Sequence, residues 1–358
     1  MRVRPQGGQS AWEAYDQLLI ATGSGPICPD LPGADAQGIY GVTTLESGIR
    51  VRAAVDQERP RRAVIVGGGY IGLEMAEALV RRQLEVSLVH RGEQVMATLD
   101  PDMGRLVSDA LREVGVRLYL QEEVKAFQVR NGRVSGVQTE RRTLAADMVI
   151  LGLGVSPDTA LAKAAGIALG VEEAIKVNRR MQTAVEGVWA AGDCAECFHR
   201  VKLAPAYIPL GTVASKQGRV AGINLSGGYA TFPGVVGTAV TKVCKYEVAR
   251  TGLQEKEIEP LGLSYASAVI DGKTRAGYYP QAGDITVKLL AEKGSGRLLG
   301  GQIVGVEGAA KRIDVLAVAL HAGSTVQDLV DFDLSYAPPY SPVWDPVQTA
   351  ARQLLKEL

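Results

Sequence analysis

A β-branched run that ends in three glycines constrains this chain more than any other feature. Residues 63–66, Ala-Val-Ile-Val, lead straight into Gly67-Gly68-Gly69-Tyr70-Ile71-Gly72, which fits G-x-G-x-x-G. The pattern alone means little in a chain with 42 glycines. Set between a strand and an amphipathic stretch over residues 70–82, it means much more. Gly67 permits the tight turn, Gly69 lets backbone approach a pyrophosphate, and Gly72 lets the helix pack close to the strand. The first amides of the helix then face the phosphates. Residues 86–89 read as the next strand and complete a strand–helix–strand crossover. Where NAD-type sites usually carry an acid for the ribose 2′-hydroxyl, this chain has His90-Arg91. An acid repels a 2′-phosphate and an arginine pairs with one. The spacing therefore favours NADPH, or use of both NADPH and NADH. The plainer alternatives are a structural turn for the glycines and a solvated loop position for Arg91.

Other segments place this unit in an α/β chain. Residues 17–22 read as a buried strand, 44–57 as a helix, 101–114 as a helix and 116–120 as a strand. Asn131-Gly132 marks a hairpin turn between two β-like runs. Residues 148–151 and 188–191 are apolar strands, and 212–224 is a helix. From about residue 232 the texture changes to alternating strands, such as 285–290 and 298–306. Helices follow near 309–322 and 346–358, which suggests a separate α+β domain. Lysine plus arginine equals aspartate plus glutamate at 39 each, so the chain lacks the basic excess of a nucleic-acid or anionic-membrane binder. No apolar run approaches the roughly 20 residues of a membrane span. Four cysteines are too few for a disulfide framework, so the expected setting is cytoplasmic.

Four segments in order, AVIVGGGYIGLEMAEAL, GVWAAGDCAE, PLGTVASKQGRVAGINL and SYAPPYSPVWDP, carry a family resemblance. The chain resembles the FAD-dependent pyridine nucleotide–disulfide oxidoreductases, in the branch of coenzyme A-disulfide reductase and NADH oxidase. The resemblance implies Rossmann-like FAD and NAD(P) domains and an α+β C-terminal dimerisation domain. It divides the chain into a first FAD-domain part at 1–43, an NAD(P) domain at 44–158, a second FAD-domain part at 159–231 and a dimerisation domain at 232–358. It implies FAD contacts at Ala21, Thr22, Gly23, Gly192, Asp193, Leu210, Gly211, Thr212 and Tyr336. Asp193 would accept from a ribityl hydroxyl, and the helix opened by Leu210-Gly211-Thr212 would direct its dipole at the flavin pyrimidine edge. For NAD(P) it implies Gly67, Gly69, Tyr70, Ile71, Gly72, Glu74, His90, Arg91 and Gly154. Tyr70 would cover the flavin face and Glu74 would lie near the nicotinamide ribose.

The chain also departs from the family pattern. About sixteen residues precede the strand at 18–22, while a crossover unit needs about thirty. Neither a glycine fingerprint nor a cysteine lies there, so the FAD domain is expected to be incomplete, without its pyrophosphate loop and redox cysteine. Cys28 falls after the return strand. Cys194 and Cys197 form a C-x-x-C in a turn, read mainly as structural, and with His199 they lack the second ligand pair of a metal site. Cys244 is expected on a buried strand. The resemblance assigns catalytic phenols, acting on the partner subunit's site, to Tyr336 and Tyr278; Tyr279 and Tyr340 stand beside them, and ordinary interface aromatics are the alternative. Trp344 falls near the expected substrate mouth. The expected partners are a small-molecule disulfide, coenzyme A disulfide or a persulfide, and a second copy of the chain.

Overall fold

The computed structural model describes residues 1–4 and 7–358. The chain divides into two compact units, one of residues 1–25 and 155–235, the other of 26–154 and 236–358. In the first, Leu18–Ile20 pairs in parallel with Val188–Ala190. Ahead of that pair, Arg2–Val3 and Ala11–Trp12 form a short antiparallel ladder. Ile20, Ala162, Ile175, Ala190 and Cys194 share one buried cluster. A second cluster gathers Met181, Trp189, Val213, Val220 and Phe232 under the helix Gly211–Leu225.

The second unit is built on a five-stranded parallel sheet. Its order is Ile39–Gly41, Met148–Leu151, Arg62–Val66, Glu85–His90 and Arg117–Leu120. The strand Arg62–Val66 is buried along four of its five residues, which is why it reads as an unbroken apolar run. From Arg62–Val66 the chain winds outward through Glu85–His90 to Arg117–Leu120, then returns on the other side at Met148–Leu151. The direction of winding therefore reverses between Arg62–Val66 and Met148–Leu151. In open sheets of this kind, ligands bind beyond the carboxyl ends of the strands at that reversal. Asp147 holds the start of both strands. Its carboxylate accepts the Arg61 and Arg62 amides at 3.0 and 2.9 Å and pairs with the Arg62 guanidinium at 2.9 Å.

A five-stranded antiparallel sheet completes this unit, in the order Ala239–Val243, Tyr246–Gly252, Leu298–Gly305, Asp284–Glu292 and Tyr265–Lys273. Val243, Val248 and Val304 share a core with Ile65, Leu88 and Met103, so the parallel and antiparallel sheets form one packed body. The two units part at 25/26, 154/155 and 235/236, where the sequence reading places boundaries at 43/44, 158/159 and 231/232. Ile39–Gly41 already belongs to the parallel sheet. The helix expected over 309–322 is split, with a 3-10 turn at Ala310–Arg312 before Ile313–Ala322. The last helix stops at Leu354. Among the described residues, no helix is long and apolar enough to cross a membrane.

Candidate functional site

The glycine turn sits at the winding reversal. Gly67 has φ +106°, and a Cβ there would lie 2.3 Å from the Gly152 carbonyl oxygen. A Cβ on Gly72 would lie 2.1 Å from the Gly67 carbonyl oxygen, so helix and turn meet backbone to backbone. Gly69 differs: a Cβ there would meet no described atom within 4 Å, and the space in front of it is open. The helix Tyr70–Arg81 begins after Gly69 with no side-chain cap, so the first-turn amides of Tyr70, Ile71 and Gly72 lack a side-chain acceptor. Open space, close backbone and uncapped amides are the requirements of a pyrophosphate cradle, and these residues fit a dinucleotide. Gly154, with φ +94°, follows the neighbouring strand on the other side of the reversal.

His90 is built into the floor of the cradle. The Gly68 amide donates to its Nδ1 at 3.2 Å. The neutral ring then carries its proton on Nε2, which is buried without a hydrogen-bond partner among the described residues. Burial, and after it the charge of Arg91, push the imidazole below its usual value. Arg91 is exposed at the strand end. Tyr70 receives a bond at its hydroxyl from Thr98 Oγ1 at 3.4 Å. Glu74 lies on the exposed side of the same helix, where Thr241 Oγ1 donates to its Oε1 at 2.8 Å. The motif gave no signal for Thr98 or Thr241, because both come from distant loops and strands.

In the other unit, the turn after Val188–Ala190 holds Gly192 and Asp193. The Gly192 amide donates to Gln217 Oε1 at 2.9 Å, and the buried Gln217 donates through Nε2 to the Glu196 carbonyl at 3.0 Å. Gln217 lies on the helix Gly211–Leu225, so one side chain ties the turn to that helix. The helix starts after Leu210 with no side-chain cap, and Gly211 and Thr212 are exposed at its mouth. Ser24 Oγ lies 3.4 Å from the Asp193 carboxylate, and Tyr207 donates to the Asp193 carbonyl at 2.9 Å. Burial and the Asp193 charge push the Tyr207 phenol up to about 12. The turn Ala21-Thr22-Gly23 is held by Thr22 Oγ1 on the Asp158 carbonyl, at 2.5 Å, and by the Asp158 amide on the Gly23 carbonyl, at 2.9 Å. A carboxylate beside an uncapped helix start suits a hydroxylated chain joined to an electron-accepting ring, so these residues fit the ribityl and pyrimidine ends of a flavin. Gln217, Tyr207 and Ser24 escaped sequence reading, since only folding brings them to Asp193.

The cysteines are not poised as a redox pair. Cys194 is fully buried, with Sγ on the carbonyls of Ile20 and Ala191. Cys197 is buried, and desolvation pushes its thiol up to about 12, far from a thiolate at neutral pH. Cys28 is exposed and Cys244 half-buried.

Tyr278 and Tyr336 come together. Both are exposed, and the proximity of the Tyr278 hydroxyl raises Tyr336 above the usual phenol value. Their two loops are joined by the Ala276 amide on the Pro338 carbonyl. Arg312 joins them again, donating to the carbonyls of Thr274 and Tyr340 while pairing with Asp345. Tyr340 is exposed, and the Arg352 guanidinium lies 4.3 Å over the Trp344 ring.

The family model of the pyridine nucleotide-disulphide oxidoreductases matches residues 4–218, and the model of their dimerisation domain matches residues 238–346. The chain belongs to this family. Its enzymes are NAD(P)H-dependent flavoproteins. A curated relative, the NAD(P)H sulfur oxidoreductase (CoA-dependent) of Pyrococcus abyssi, is 39% identical over 99% of this chain and 79% of its own length. A NAD-dependent persulfide reductase from A. fulgidus superposes with TM-score 0.96 at 39% identity, covering 99% of this chain and 66% of that one. The reduced CoADR-RHD of Bacillus anthracis gives TM-score 0.93 at 38% identity, over 98% of this chain and 63% of that one. The chain thus spans just under two thirds of each of these two solved chains. The expectation of an incomplete FAD domain gains no support from these matches.

Proposed function

We propose that this chain carries the nicotinamide and flavin sites of an oxidoreductase that reduces a sulfur–sulfur bond, in a coenzyme A disulfide or a related persulfide. The observation that carries the reading is the open, uncapped glycine cradle at the reversal of the parallel sheet. It holds a dinucleotide pyrophosphate on the amides of Tyr70, Ile71 and Gly72, with Gly69 leaving room for it. Arg91 faces the ribose end and favours a 2′-phosphate, so NADPH binds at least as well as NADH. A bound flavin supplies hydride acceptance and electron transfer to sulfur. Asp193 and the start of the helix Gly211–Leu225 orient it, and the helix dipole favours negative charge at that end. Tyr336, with Tyr278, lends phenol donors to a leaving thiolate across a homodimer. The similarity to sulfur and persulfide reductases supports the choice of substrate class.

The test supplies FAD and either NADPH or NADH, and offers coenzyme A disulfide, coenzyme A persulfide or oxygen alone. Thiol or sulfide release that depends on the sulfur compound is the expected result. Oxygen uptake at the same rate without a sulfur acceptor would instead favour a second reading, an NADH oxidase. A relative of that name from Methanocaldococcus jannaschii, 36% identical, supports that alternative.

A further inference from the structure

Lys288 is a lysine held almost wholly out of water by acids. Its side chain is 3% exposed and contacts three carboxylates: Asp100 at 3.2 Å, Asp102 at 2.9 Å and Glu255 at 2.9 Å. Asp100 is itself 1% exposed. Its backbone amide donates to Gln302 Oε1, and Gln302 Nε2 donates back to its carboxylate, both at 2.7 Å. The Glu255 amide donates to the other carboxylate oxygen at 2.9 Å. Lys288, Gln302 and Glu255 all come from the antiparallel part of the unit, on the strands Asp284–Glu292 and Leu298–Gly305 and the helix Glu255–Ile258. Asp100 and Asp102 come from the parallel part, where residues 91–100 lead from the strand Glu85–His90 to the helix Pro101–Glu113.

The same loop is clamped a second time. The Ala97 carbonyl accepts from Lys256 Nζ at 2.7 Å and from Gln254 Nε2 at 3.3 Å. Between and beside these clamps the loop touches the cradle twice. The Met96 amide donates to the Gly68 carbonyl at 2.7 Å, and Thr98 Oγ1 donates to the Tyr70 hydroxyl at 3.4 Å. A bare loop of ten residues would sample many conformations. This one is anchored at Ala97 and Asp100 from the antiparallel sheet, and through Met96 and Thr98 it fixes the glycine turn and the first side chain of the cradle helix. A buried cation facing three acids is costly as a stability device alone, and such clusters are best attested where they select one arrangement.

We propose that Lys288, with Lys256 and Gln254, is a positioning group for dinucleotide binding: from the antiparallel sheet it sets the loop 91–100, which through Thr98 and Met96 sets Tyr70 and the Gly68 turn. The proposal rests on the reading of the glycine turn as a dinucleotide cradle. It adds that cofactor affinity is controlled from residues that touch no part of the cofactor.

The experiment measures NADPH and NADH dissociation constants by equilibrium dialysis, together with the melting temperature, for the full chain and four variants. Lys256→Met removes an exposed clamp, and Thr98→Val removes the hydroxyl while keeping the shape. Each is expected to weaken binding about three- to ten-fold, the size of one lost hydrogen bond, with the melting temperature unchanged. Thr98→Ser keeps the hydroxyl and is expected to bind as the wild type does. Lys288→Met leaves three acids without their cation and is expected to weaken binding further while also lowering the melting temperature. Should Lys288→Met fail to fold, Lys256→Met and Thr98→Val decide. Wild-type affinity in those two, or wild-type affinity in a folded but less stable Lys288→Met, overturns the positioning role and leaves the cradle reading intact. A wild-type chain that binds neither dinucleotide overturns the cradle reading and the positioning role with it.

Discussion

Two glycines three residues apart do different work. A Cβ at Gly72 runs into the Gly67 carbonyl, whereas a Cβ at Gly69 enters open space. Gly72→Ala is therefore expected to force helix and turn apart and destabilise the chain by about 1–3 kcal/mol, the usual cost of overpacking. Gly69→Ala is expected to leave the melting temperature unchanged and to weaken dinucleotide binding by putting a methyl where the phosphates go. Thermal unfolding together with NADPH titration separates the two; a Gly69→Ala chain with unaltered affinity would count against the cradle. His90 makes a second prediction. Its folded-state value lies below the ordinary 6.5, so the unfolded chain takes up a proton that the folded chain resists. The stability it contributes is complete above pH 6.5 and is lost as the pH falls through the lower folded value. The same proton would land on Nδ1, which now accepts the Gly68 amide. His90→Asn retains a side-chain acceptor and does not titrate. Its stability is expected to fall less steeply on acidification from pH 7 to 5, and equal slopes in the two proteins would refute the assignment.

At the level of whole helices, the two candidate binding ends lack side-chain caps, but so do Ala160–Ala164 and Ile313–Ala322, so a missing cap does not by itself mark a binding end. Leu45–Glu58 and Val326–Asp331 are closed by capping boxes on Thr44 and Thr325. Tyr70–Arg81 and Gly211–Leu225, the two proposed to face ligands, have no side-chain cap. Pro101–Glu113 also lacks one but starts on a proline, which removes one amide from the count. The last helix shows what a cap does when it also carries an ion pair. Asp345 accepts the Val347 amide at 2.9 Å and pairs with Arg312 at 2.9 Å, both side chains being mostly buried. Asp345→Ala strips the cap and leaves Arg312 without its carboxylate. The expected loss is about 2–4 kcal/mol in denaturant unfolding, the sum of a cap and a broken, partly buried pair. A loss near zero would show that the Gly308, Thr274 and Tyr340 carbonyls hold Arg312 without its carboxylate.

For the molecule as a whole, the exposed aromatics of the C-terminal region need a partner surface. Tyr278 is 78% exposed, Tyr340 77% and Val343 69%, and Trp344 and Tyr336 are each nearly half exposed. Such a concentration of apolar side chains marks an interface more often than bare surface. It falls in or beside the region matched by the family's dimerisation domain. The chain is expected to sediment as a homodimer at micromolar concentration, and Tyr340→Asp combined with Val343→Asp is expected to shift it to monomer. A wild-type monomer at that concentration would remove the structural basis for a phenol donated across subunits.

The amino-acid order alone determined the strand–turn–helix at residues 62–81, the hairpin around Asn131-Gly132, the parallel strand Met148–Leu151 and the family. Each of these rests on local signals: unbroken apolar runs for strands buried on both faces, glycines where backbones must meet, and turn dipeptides. Of the candidate site, the glycines, His90 and Arg91 were proposed from a motif whose positions lie close together in sequence, and Asp193 from the family resemblance. Everything that holds those positions came from the tertiary structure. Gln217 ties the Gly192 turn from 25 residues away, Thr98 reaches Tyr70 from 28, and Lys288 gathers Asp102 from 186. That the two sheets share one core could not be read either, since Val243 and Val304 join Ile65 only once both sheets have formed. A single polar residue carries no period and no spacing rule, so its partner is set by how sheets and loops pack, and packing is decided by the whole chain at once.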